Sequence, residues 1–194
     1  MNQRDLLDVD WSKIPAPTDD GGTAHLRGTT VPPITLLATN DTSVTLSSLS
    51  GRTVVFGYPR TGEPGKIALV DDWDMIPGAR GCTPQTCAFR DLFAELRAAG
   101  AAHVFGLSTQ SNAYQTEMAS RLHLPFSVLS DEKLELTRAL NLPTMQVAGL
   151  TMIKRLALII DDARVTHVFY PVFPPDRNAG EVLAWLKKSG HRLN

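Results

Sequence analysis

Residues 52–58, Arg-Thr-Val-Val-Phe-Gly-Tyr, are apolar enough to be buried on both faces, so they read as a central strand in a sheet covered by helices. The next segment narrows the options. Pro59 to Gly81 is a long connection punctuated by Pro59, Gly62, Pro64, Gly65, Pro77 and Gly78, and structureless connections of this length are usually functional or disordered. Its apolar residues Ile67, Leu69, Val70, Trp73, Met75 and Ile76 favour a packed flap. Thr83-Pro84-Gln85 then predicts a helix start with proline at the first position. Cys87, Leu92, Phe93 and Leu96 supply its apolar face until Gly100 ends it.

The pattern of strand then helix continues. Pro32–Leu36 and Ser43–Leu46 predict short strands around a turn at Thr39-Asn40-Asp41. Ala102–Ser108 predicts a second buried strand, 112–122 a helix, Phe126–Leu129 a short strand, and 132–140 a further helix. Lys154–Ile160 and Val165–Phe169 predict two strands joined by the tight turn Asp161-Asp162-Ala163-Arg164, before a last helix over 179–188. This order implies an α/β chain with a central mixed sheet and helices on both faces. The thioredoxin-like fold is one small example.

The 194 residues suffice for one domain with a full core and are too few for two ordinary ones. Residues 1–30, broken by Pro15, Pro17, Gly21, Gly22 and Gly28, read as an extended arm; 31–194 read as the domain, with an insertion at about 62–80. An apolar fraction of 43% with 20% charged residues suits a globular protein, and a net charge of -1 gives no reason to expect nucleic acid or an anionic membrane as partner. No run meets the requirement for a secretory signal or a membrane span, so a reducing cytoplasm is the expected compartment. In such a compartment two cysteines are more often catalytic or metal-binding than a permanent staple.

Those cysteines lie five apart in Gly81-Cys82-Thr83-Pro84-Gln85-Thr86-Cys87. Backbone N–H groups at a helix start carry partial positive charge and stabilise a thiolate, and Arg80 adds to this, so Cys82 is the expected nucleophile. Cys87, between Thr86 and Ala88-Phe89, is expected deeper and less ionised. Five residues of helix rise about 7.5 Å, beyond the roughly 4.4 to 6.8 Å that a disulfide tolerates between Cα atoms, so any bridge between the two requires unwinding. Four intervening residues also differ from the two of thioredoxin-like reductases. The plain alternative is a pair of inert buried thiols. Zinc is not expected, because His25, His103, His123, His167 and His191 show no paired spacing.

The stretch Gly81 to Asp91 (GCTPQTCAFRD), following the strand Val54-Val55-Phe56-Gly57-Tyr58-Pro59, resembles the bacterioferritin-comigratory or Q-type peroxiredoxins. The likeness extends over residues 34–49, 104–109, 126–131 and 154–161, and spans roughly 31–190. It implies a cofactor-free peroxidase, monomeric or homodimeric. Cys82 would attack hydrogen peroxide or an organic hydroperoxide, the sulfenic acid would condense with Cys87, and thioredoxin or glutaredoxin would reduce the disulfide. It also implies that Arg155 sits beside Cys82, stabilising the thiolate and polarising the peroxide; without it, Arg155 reads as a strand-end ion pair.

One departure stands out. The family's threonine three residues before the reactive cysteine is Ala79 here, and its proline seven before is Met75. Pro59 and Thr61 stand where that loop begins, so the insertion of about twenty residues separates them from Cys82 and Thr61 becomes the candidate peroxide donor. Pro59, Arg80 and Trp73, the last within Trp73-Asp74-Met75-Ile76-Pro77, are the candidate substrate contacts. Two other functions stay open at this point: specialised thiol–disulfide or sulfur chemistry on an organic substrate, and a redox-sensing module.

Overall fold

The computed structural model describes residues 7–190; the first six residues of the arm and His191 lie outside them. Nine strands are present among the described residues. Seven form one mixed sheet in the order β2-β1-β5-β4-β3-β8-β9: β1 (Thr35–Ala38), β2 (Ser43–Thr45), β3 (Arg52–Gly57), β4 (His103–Ser108), β5 (Val128–Ser130), β8 (Leu156–Asp161) and β9 (Arg164–Phe169). β3, β4 and β5 run parallel, while β8 pairs antiparallel with β3 and β9 with β8. The central position expected for residues 52–58 is therefore found.

Strand alternation divides the core into two layers. Val54, Phe56, Val104, Ala157 and Ile159 face one side with Cys82, Cys87, Phe89, Met118 and Val182. Those last five belong to three helices, α1 (Cys82–Asp91), α3 (Asn112–Arg121) and α5 (Asn178–Gly190), which cover that face together with α2 (Phe93–Ala98). The alternate positions Val55, Leu107, Leu156 and Leu158 face the other side, against Leu136 and Leu140 around α4 (Glu135–Ala139) and against Leu26 of the arm. Phe56 stacks on Phe89 at 4.1 Å between ring centroids, tying β3 to α1. Gly106 makes room for that ring, since a Cβ there would stand 3.2 Å from the Phe56 Cζ.

Three sequence expectations are corrected. The helix expected from Thr83 to Gly100 starts at Cys82, with Pro84 third, and is two helices: Leu92 closes α1 by donating to the Ala88 carbonyl and opens α2. Lys154 and Arg155 precede β8 and are not part of it, and α4 is shorter than expected at its start. A second sheet, the hairpin of β6 (Thr144–Val147) and β7 (Leu150–Ile153), has no counterpart in the sequence reading. Its turn uses Ala148 and Gly149, both at positive φ.

The insertion is packed, as its apolar residues imply. Trp73 and Ala79 are buried with Val147 of β6 and Met152 of β7, with Leu69, Val70 and Ile76 around them. The arm is fastened down. Asp20 accepts from Lys154 Nζ at 2.6 Å and from the Tyr170 hydroxyl at 2.7 Å, and these two donors hold its carboxyl well below the usual carboxylate range. Trp11 Nε1 donates to Asp176 Oδ2 at 2.9 Å. No helix among the described residues is long and apolar enough to cross a membrane.

Candidate active site

Cys82 is the first residue of α1, and Gly81 before it takes φ 103°, a left-handed conformation that glycine adopts at little cost. Space imposes the same choice: a Cβ at Gly81 would stand 2.6 Å from Pro175 Cγ and 2.7 Å from Trp11 Cη2. Cys82 is 3% exposed and Cys87 6%, and the two are not bridged. The intact first turns of α1, braced by Thr86 Oγ1 on the Cys82 carbonyl at 2.9 Å, keep the two apart. Burial pushes the Cys87 thiol up, with the nearby Arg90 opposing, so Cys87 is held protonated.

Arg155 is brought to Cys82. Its side chain is almost fully buried, and Nη2 lies 3.2 Å from Cys82 Sγ while also donating to the carbonyls of Gly78, Ala79 and Arg80. Nη1 donates to Gln85 Oε1, and Gln85 Nε2 in turn donates to Asn178 Oδ1 at 3.0 Å. A buried guanidinium gains from several acceptors in fixed geometry. The Arg155–Gln85–Asn178 chain thus runs from the sulfur through α1 to the start of α5.

The insertion's last residues meet the site through their backbone. Ala79 presents its carbonyl to the Cys82 thiol at 3.5 Å and has no side-chain donor. Thr61 is buried, but its hydroxyl donates to Gln110 Oε1 at 3.1 Å, as does its backbone N–H at 2.9 Å, so the one proton it has is committed there. Pro59 is buried and its carbonyl accepts from Ser108 Oγ at 3.2 Å. Arg80 gives its carbonyl to Arg155, while its guanidinium lies 3.6 Å from Asp74 and lines a pocket that Trp73 and Thr61 also line.

Tyr58 was not singled out by sequence reasoning. It follows β3 on the face that carries Phe56, is fully buried, and shares a cluster with both cysteines. Its hydroxyl is the one buried hydroxyl among the described residues without a partner, and Arg155 Nε is likewise unpartnered. Burial first, and then negative charge at Cys82, push the phenol well above its ordinary value and keep it a donor. An unpaired buried donor costs on the order of 1–3 kcal/mol, so one kept in the same cluster as Cys82 leaves a hydrogen bond for a ligand to accept.

A mixed sheet with helices on both faces, and a buried cysteine heading the helix after the central strand, define a thioredoxin-fold thiol protein. The chain belongs to the Redoxin family, whose model matches residues 26–183. It is 31% identical over 163 residues to a chloroplastic peroxiredoxin Q of Sedum lineare, covering 83% of this chain and 77% of that one. A chloroplastic peroxiredoxin Q of Oryza sativa subsp. japonica is 31% identical over 163 residues, and the chain spans 66% of its length. Among solved structures, peroxidoxin BcpB from Mycobacterium tuberculosis is similar with a TM-score of 0.65 at 28% identity, over 84% of this chain and 96% of that one. PrxQ of Xylella fastidiosa shares the fold with a TM-score of 0.66 at 20% identity, over the same shares. The resemblance to Q-type peroxiredoxins stated from the sequence is therefore found.

Proposed function

We propose that the protein is a thiol peroxidase in which Cys82 reduces hydroperoxides and Cys87 resolves the product. The observation that carries this reading is Arg155 Nη2 at 3.2 Å from a cysteine sulfur that heads α1. A fixed cation there meets the charge that develops on the peroxide oxygens as the O–O bond breaks. The sulfur takes up the terminal OH of the hydroperoxide, the O–O bond breaks, and the leaving alkoxide takes the proton that the thiol gave up. Tyr58, rather than Thr61, supplies the hydrogen bond that Ala79 cannot, because the Thr61 proton is committed to Gln110.

The resulting sulfenic acid condenses with the Cys87 thiol: the S–S bond forms and water leaves. α1 unwinds for this step, since about 7.5 Å of helical rise separates the two residues. An external dithiol, of the thioredoxin or glutaredoxin kind, then returns two electrons and two protons to the pair. A reducing compartment such as the cytoplasm keeps that dithiol supplied.

Stopped-flow mixing of the reduced protein with hydrogen peroxide, followed by mass mapping, tests the reading. Rapid loss of one thiol equivalent at Cys82 and appearance of a Cys82–Cys87 disulfide are expected. The Cys87→Ser variant keeps the first reaction and accumulates sulfenic or sulfinic acid at Cys82. Oxidation of Cys82 no faster than that of a free cysteine overturns the peroxidase reading.

A further inference from the structure

Hydrogen peroxide is little larger than water, whose share of liquid volume is about 30 Å³. The insertion nevertheless builds a pocket of about 370 Å³ against the end of β3 and α3, within the size range of small-molecule sites. One wall is fixed: Arg60 lies over the ring of Tyr114 at 4.9 Å, and the Tyr114 hydroxyl donates to the Thr61 carbonyl at 3.0 Å. The other wall comes from the insertion. Leu69 and Trp73 supply apolar surface, and Ile67, 95% exposed, stands at the rim. Arg80, which lines the pocket, is two residues before Cys82, so the Cα atoms of the two lie within about 7 Å of each other by chain length alone.

Charge distinguishes this pocket. Its lining carries Arg60, Lys66 and Arg80 against one carboxylate, Glu63. Glu63 pairs with Lys66 at 3.3 Å and Asp74 lies 3.6 Å from Arg80, whereas none of the ion pairs among the described residues involves Arg60. A half-buried guanidinium stacked on an aromatic ring with apolar surface opposite suits a carboxylate attached to hydrocarbon. We infer that the pocket selects organic hydroperoxides bearing a carboxylate, with the carboxylate on Arg60 and the hydrocarbon against Leu69 and Trp73. The chemistry at Cys82 is unchanged, and the product leaving the pocket is the corresponding hydroxy acid.

This inference rests on the peroxidase reading, and the test separates the two. Reduced full-length protein is mixed with a medium-chain hydroperoxy carboxylic acid, with its methyl ester, and with hydrogen peroxide. The acid is expected to oxidise Cys82 about tenfold faster than the ester at low salt, a difference of about 1.4 kcal/mol that shrinks as salt rises. In Arg60→Gln the acid-to-ester ratio falls to about one. The ratio is read within each variant, so a general loss of activity does not move it. Equal rates for acid and ester in the unaltered protein, or the same ratio in Arg60→Gln, overturn the inference while leaving the peroxidase reading intact. Failure of all three oxidants overturns the peroxidase reading instead. The pocket is then judged by calorimetric titration of the hydroxy acid: Arg60-dependent binding upholds its carboxylate selectivity, and binding no tighter than to Arg60→Gln ends it.

Discussion

Arg155 Nη2 bonds the Cys82 sulfur at 3.2 Å and, with the same nitrogen, the three backbone carbonyls of residues 78–80. One guanidinium therefore holds the end of the insertion and the Cys82 thiol in a single register.

Arg155→Lys is expected to be far from conservative. An ammonium keeps the charge but loses the planar fork that reaches sulfur, carbonyls and Gln85 together. The second-order rate with hydrogen peroxide is expected to fall by roughly 10²–10³, the size seen when one preorganised donor is lost. Stopped-flow kinetics check this, and a loss below threefold would show that charge alone suffices.

Tyr58→Phe separates catalysis from stability. The hydroxyl has no partner in the resting site, so its removal is expected to leave denaturant stability unchanged or slightly raised. The peroxide rate is expected to drop about tenfold, equivalent to roughly 1.4 kcal/mol from one hydrogen bond made in the transition state. An unchanged rate would remove Tyr58 from the mechanism.

Gly81→Ala meets two penalties at one atom. The left-handed backbone costs a residue with a Cβ about 1–2 kcal/mol, and the added methyl meets Pro175 and Trp11 at less than 3 Å. A loss of at least 2 kcal/mol in urea unfolding is expected. Stability equal to that of the unaltered protein would mean that the arm and the Pro175 turn give way freely.

His167 gives the fold a pH dependence. Burial first, and then the charge of Arg27, hold its imidazole below the ordinary 6.5, with Trp185 stacked on it at 4.8 Å. The unfolded chain then binds more protons than the folded one in the window just below that value, so stability rises with pH there and falls on acidification. Denaturation midpoints at pH 7.5 and 5.5 are expected to differ in that sense, and His167→Phe is expected to narrow the gap.

Much of the fold was legible because burial leaves a periodic trace: Val54-Val55-Phe56 and Leu156 to Ile160 are apolar on both faces, as strands between two helix layers must be. The short β6–β7 hairpin left no such trace. Its strands pair over four residues each, and its turn puts Ala148, not a typical turn residue, at positive φ. At the site, the helix-start position of Cys82 was readable from spacing and the placement of Arg155 beside it from resemblance. The Gln85–Asn178 bond spans 93 positions, and the partnerless hydroxyl of Tyr58 is defined by what surrounds it, so neither has a local signal. Thr61 was read as a peroxide donor, but the commitment of its proton to Gln110 was not legible for the same reason, since Gln110 lies 49 positions away.

The indole of Trp11 rests where a Gly81 side chain would be, against Pro175 and with Phe173 edge-on at 6.0 Å. In the proposed cycle, closing a Cys82–Cys87 bridge unwinds the start of α1 beside that ring. Oxidation by that route is expected to register as a step in tryptophan emission, read without any added dye.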